Sequence, residues 1–220
     1  MGKNWSGIKI YQYQKIDKLI TDKEIDLFEK QIRLVQIVFK LNNKQIDEIP
    51  VTDFNERFIP EIDFIFTTKP NNKIPIYFEI GKIKYVFEPR VDNLTAGQYI
   101  ELSTLCKDQN KIIDNLHFIL SVICLPEKTK YDSETVIDRS NLFQKELSIS
   151  IAYPIALFFY QLYLNLIKNI PQFLTTEMKN LNKALEMVII TNGLPKNGDG
   201  IASLTHSPVA TLTNGNISQN

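Results

Sequence analysis

From Ile149 to Ile167 the chain runs nineteen positions without a charged side chain. That segment constrains the fold more than any other. It must be covered by a protein core, by a partner subunit or by a bilayer, and it is just long enough to span one. Ser150, Pro154, Gln161 and Asn165 interrupt it, however, and such polar residues penalise membrane insertion. The better expectation is a buried or interface helix over about 154–168, with Pro154 in its first turn and Phe159 on the covered face.

Upstream, the clearest β signal is Ile74-Pro-Ile-Tyr-Phe-Glu-Ile, then Gly81-Lys82, then Ile83-Lys-Tyr-Val-Phe-Glu-Pro. Two apolar runs around a Gly-X pair predict a hairpin with a type II′ turn. Ile76, Phe78 and Ile80 then share one face, as do Ile83, Tyr85 and Phe87. Asp63 to Thr67 is a candidate further strand. Most of the rest carries helical signals. Asp22 is a candidate cap for a helix bearing Phe28, Ile32, Val35 and Phe39. Pro50 and Pro60 bracket a short helix through Phe58. Thr95 and Gln98 have capping-box spacing. Further helices are expected over Lys111 to Cys124, from Ser133 through Leu147, and over 175–190.

The two ends differ from this pattern. Ile8-Lys-Ile-Tyr-Gln-Tyr-Gln-Lys-Ile16 alternates in part and reads as a strand, either within a small sheet or as an arm added to a neighbour's sheet edge. After Thr191 the pairs Asn192-Gly193, Asn197-Gly198 and Asn214-Gly215 are turn and linker signals without helical period. The expected fold is therefore α+β, predominantly helical with a small β-hairpin sheet at 74–88 and extended N- and C-terminal arms. The expected divisions are an N-terminal strand or arm over 1–20, a mainly helical core over 21–190 and an extended tail over 191–220. Candidate interface residues are Tyr11 and Tyr13 in the arm, Phe159 in the uncharged helix, and Leu204, Val209 and Leu212 in the tail.

Chemistry-bearing patterns are sparse. There is no GxGxxG and no GxxxxGK[ST] loop to cradle phosphates. His117 and His206 have no Cys, His or carboxylate at metal-ligand spacing, so no cofactor or metal is expected. Cys106 and Cys124, in apolar surroundings, read as buried thiols of a reducing compartment. His117 and Cys124 stand two helical turns apart, roughly 10 Å along one helix, too far for a nucleophile–base pair. Glu56, Glu61 and Asp63 read as a solvated loop between prolines, and Arg139 as an ion-pair partner of Asp138 or Asp132. No enzymatic activity and no small-molecule substrate are expected. Lys+Arg and Asp+Glu both number 25. That balance gives no support to general nucleic-acid binding, which needs a basic surplus. The opening Met-Gly-Lys-Asn-Trp-Ser lacks a signal-peptide apolar core, so cytoplasmic synthesis is expected.

Across residues 46–173 the chain resembles small proteins encoded in the neck and tail gene clusters of tailed bacteriophages, including crAss-like phages. The resemblance is carried by Ile46-Asp-Glu-Ile-Pro-Val-Thr-Asp-Phe54, Ile80-Gly-Lys-Ile-Lys-Tyr85 and Leu94-Thr-Ala-Gly-Gln-Tyr-Ile-Glu-Leu102. Asn115-Leu-His-Phe-Ile-Leu-Ser-Val-Ile123, Tyr131 and Ala156-Leu-Phe-Phe-Tyr-Gln-Leu162 complete it. Each motif is a packing or capping pattern, and their order carries the specificity. The resemblance implies a non-enzymatic virion protein made in the host cytoplasm. Its partners would be copies of itself in a ring around the portal–tail junction and other neck, tail or portal proteins. The alternative it implies is a tail or baseplate assembly chaperone absent from the mature particle. The Gly- and Asn-containing stretch after Thr191 departs from the assembly-factor type and points to a particle component whose tail threads between neighbours.

Overall fold

Among the described residues of the computed structural model, which are 3–70, 73–90, 93–165, 178, 179 and 183, helices predominate. Residues 1–168 form one unit and 169–220 a second. In the second, Met178, Lys179 and Lys183 are helical, within the stretch assigned to a helix from sequence. Leu204, Val209, Leu212 and the rest of the 191–220 tail lie outside the described residues.

In the first unit, a short 3₁₀ turn at Trp5–Gly7 leads into α1 (Ile10–Thr21) and α2 (Leu27–Phe39). Then come α3 (Asn43–Asp47), α4 (Val51–Asp53), a π-helical turn at Phe54–Phe58, α5 (Ile59–Ile62) and α6 (Phe64–Thr67). The hairpin strands β1 (Tyr77–Ile80) and β2 (Ile83–Phe87) follow. After them run α7 (Ala96–Leu105), α8 (Leu116–Ile123), β3 (Cys124–Pro126), α9 (Val136–Glu146) and α10 (149–165).

The N-terminal segment is not a strand. Alternation of Ile8, Ile10, Gln12, Gln14 and Ile16 mimics a period of two, but from Ile10 onward it is the inner face of α1. Ile10, Gln12, Gln14, Ile16 and Leu19 are all buried. The deception lies in the two glutamines, whose amides are satisfied inside the fold. Gln12 caps the helix by accepting from the Lys9 backbone N–H at 3.0 Å, and donates to the Ile37 carbonyl at 2.7 Å. The segment is also tied down. The Ile10 N–H donates to the Leu147 carbonyl, and the Ile149 N–H donates to the Ile8 carbonyl at 2.8 Å.

Two prolines also behave differently from expectation. Pro60 does not end the helix begun at α4. The Ile59 N–H donates to the Phe54 carbonyl, five residues back, so a π turn accommodates the residue that cannot donate. Helix continues through Glu56 and Glu61, which are therefore not in a loop, and the candidate strand from Asp63 to Thr67 is a turn at Asp63 followed by helix α6. Pro154 sits in the second turn of α10, because Ser148 starts that helix: its carbonyl accepts from Ile151 and Ala152, and its hydroxyl from the Ser150 N–H. In α10, Ile149, Ala152, Ile155, Ala156, Phe159 and Tyr163 are buried at helical spacing. Gln161 and Asn165 are exposed. The uncharged segment is thus a core helix, and Phe159, 1% exposed, belongs to the interior rather than to an interface. Among the described residues, no helix is long and apolar enough to cross a membrane.

The hairpin forms as expected, with Phe78 opposite Tyr85 and Gly81 at φ +62°. Lys82 keeps a negative φ, as a type II′ turn requires. Nothing stands within 4 Å of a Cβ placed on Gly81, so only backbone strain opposes a side chain there. Gly81→Ala is expected to lower stability by roughly 1–2 kcal/mol, read as a shift in urea midpoint. An unchanged midpoint would show that the turn rearranges. The sheet gains a third antiparallel strand, β3, which pairs Phe87 with Cys124 where the sequence suggested helix to the end. Phe78 stacks on Tyr85, and Phe143 of α9 meets both rings edge-on at 5.5 and 4.9 Å. Helix α8 packs between α7 and α9, α9 packs on α1, and α1 packs on α2.

Candidate functional site

Reading α1 as a helix changes what its outer face offers. Tyr11, Lys15 and Lys18 recur at i, i+4 and i+7 and make one stripe. On α2, Arg33, Gln36, Ile37 and Lys40 make another. The two stripes face each other across a groove of about 830 Å³, which Asp22, Ile25, Leu19, Leu41 and Asn43 complete. A neighbouring hollow of about 440 Å³ shares Tyr11, Lys15 and Lys18 and adds Gln14, Asp114 and Gln144.

The groove has apolar walls in Leu19, Ile25, Ile37 and Leu41 and a basic rim. Lys15, Lys18, Arg33 and Lys40 stand there against one carboxylate, Asp22. Lys18 pairs with Asp114 at 2.8 Å, and Arg33 pairs with Glu29 along α2. Lys15 lies 5.9 Å from the Tyr11 ring centre. Lys40 makes no ion pair among the described residues. It sits at φ +58°, where the left-handed backbone closes α2 and its N–H donates to the Gln36 carbonyl. A lysine accepts strain here that glycine would avoid, and the turn sets it at the groove's rim.

Behind the groove a polar hub joins three elements. The Gln14 amide nitrogen lies 3.0 and 2.9 Å from the Ile113 and Asp114 carbonyl oxygens and 3.1 Å from His117 Nδ1. Its oxygen accepts from Gln144 of α9 at 3.0 Å. His117 is buried, and burial holds its pKa below the usual histidine value against the opposing pull of Asp114. Accepting from Gln14 at Nδ1 requires the neutral ring. The unfolded chain then binds more protons than the fold as pH drops through 6.5. The stabilisation is complete above that pH and lost as pH falls below it. Urea midpoints at pH 7.5 and 5.5 are expected to fall more for the wild type than for His117→Gln. An equal fall in both would show that the histidine is not the coupled group.

The remaining sequence candidates are dispersed. Tyr11 lines the groove, but on a helix rather than an arm. Tyr13 packs edge-on against Trp5 at 5.7 Å and Tyr153 at 6.1 Å. Both cysteines are buried free thiols, as the sequence suggested. Burial pushes Cys106 up to about 11 and raises Cys124 as well. Thiolate, the nucleophilic form, is therefore scarce at neutral pH.

No protein-family model, curated protein or solved structure matches the chain.

The motifs quoted from the sequence play structural parts here. Thr95 and Gln98 form the expected capping box, and the Gln98 amide reaches across to the Val122 carbonyl at 2.8 Å. Arg139 makes no ion pair with Asp132 or Asp138. It is buried against α8, donating from Nε to the Ser121 carbonyl at 2.6 Å and from Nη1 to the Thr135 hydroxyl at 2.9 Å. The basic rim was hidden from sequence reading because a strand places Lys18 opposite Tyr11 and Lys15, whereas a helix aligns all three.

Proposed function

We propose that this chain is a non-enzymatic structural subunit of a tailed-bacteriophage particle, set in a ring at the portal–tail junction. The observation that carries the reading is the amount of large apolar surface presented by elements able to dock. Strand β1 is a sheet edge. Exposed Ile74, Ile76, Tyr77 and Ile83 lie on or beside the hairpin, Ile76 being 83% exposed. Leu27 and Phe28 of α2 and Val51 of α4 are also exposed, and Phe28 meets Phe54 of the π turn that follows α4. Exposed apolar groups gathered on docking elements suit protein–protein contact, and an open edge strand suits strand addition. The ordered motifs of residues 46–173 support the particle setting.

The experiment is a conditional disruption of the gene followed by electron microscopy of lysates. The expected result is filled heads and separate tails, joined into infectious particles when purified protein is added back. Normal, infectious particles without the protein would overturn the proposal.

A further inference from the structure

We infer that the groove between α1 and α2 receives the acidic ridge of a second copy of this chain, a head-to-tail contact that rests on the reading of the chain as an assembling subunit. Two cations of the rim are held locally, Lys18 by Asp114 and Arg33 by Glu29, which leaves Lys15 and Lys40 against Asp22. One stretch of the sequence is rich in carboxylates and poor in cations. Between Asp47 and Asp63 lie Asp47, Glu48, Asp53, Glu56, Glu61 and Asp63, with Arg57 the only cation. Arg57 already pairs with Asp53 at 3.3 Å, and Lys44 with Glu48 at 3.9 Å. Asp47 and Glu56 are exposed and make no ion pair among the described residues. Val51, 72% exposed at the start of α4, supplies an apolar group for the groove's apolar walls.

The placement of the two surfaces makes the contact repeatable. Helix α2 meets α1 on the groove side, while its Phe28 and Phe39 meet Phe54 and Phe58 of the ridge. Helix α2 thus carries both a wall of the groove and the ring contacts to the ridge, and one copy offers both at once. A contact between two different surfaces is heterologous and propagates until it closes on itself. The chain's own C-terminal stretch is a poorer occupant, because 191–220 holds Asp199 as its sole carboxylate, beside Lys196.

The test uses sedimentation velocity on the full chain and two surface variants, Lys15→Glu/Lys40→Glu in the groove and Asp47→Lys/Glu56→Lys on the ridge. Wild type is expected to gain mass with concentration, less so at high salt, since exposed charges are screened. Each variant alone is expected to associate about tenfold or more weakly. An equimolar mixture is expected to recover association, because each variant's reversed surface complements the other's. Unchanged circular dichroism confirms folding. A wild type that stays monomeric up to about 1 mM, or a mixture no better than either variant alone, overturns the inference. Particle assembly is scored separately by the gene disruption, so the contact can fail while the particle role stands.

Discussion

Phe143→Ala is expected to destabilise the fold by about 3–5 kcal/mol, the range for removing a fully buried phenylalanine. The side chain is completely buried and stands edge-on to both Phe78 and Tyr85. The ring does two things at once. It fills the space between α9 and the sheet, and it gives each hairpin strand an edge-on ring contact with the helical layer. A small hairpin has little stability of its own, so losing this anchor loosens β1 and β2 together. Domains of this size have about 5–15 kcal/mol in total, so the expected readout is a large drop in urea midpoint. Amide exchange in 77–87 should quicken first. A shift below about 1 kcal/mol would mean that neighbouring side chains collapse into the cavity and that the anchor lies elsewhere.

Phe159→Asp is expected to leave the protein unfolded or insoluble. Position 159 is 1% exposed and stacks beside Tyr163 on the inner face of α10. Helix α10 itself carries no cation to meet a carboxylate placed there. The carboxylate must lose its hydration or fold protonated, a penalty of several kcal/mol. Gln161→Asp is the matched control, since Gln161 is exposed on the same helix and a surface change there should stay within about 0.5 kcal/mol. A soluble Phe159→Asp protein with an unchanged melting temperature would place that face of α10 outside the core.

These two substitutions also mark what the sequence makes legible. The hairpin was readable because Gly81 and the alternation on either side are local signals. The capping box at Thr95 and Gln98 was readable for the same reason. The uncharged helix was recognised as covered, but whether by core or by partner depends on contacts remote in sequence. In the N-terminal helix buried glutamines disguise the apolar period, and their partners at Ile37, Ile113 and Asp114 lie 25 to 100 residues away. The groove is hidden for the same reason, since its basic rim exists only when α1 and α2 lie side by side. Strand β3 was missed because its three residues continue an apolar helix without a break, and only pairing with β2 makes them a strand.

Quantitative mass spectrometry of purified particles tests the proposed role as a structural subunit of a phage particle. The expected result is a fixed copy ratio of this chain to the portal protein. Absence from particles, with abundance in infected-cell lysate, would contradict it and identify the chain as an assembly chaperone instead.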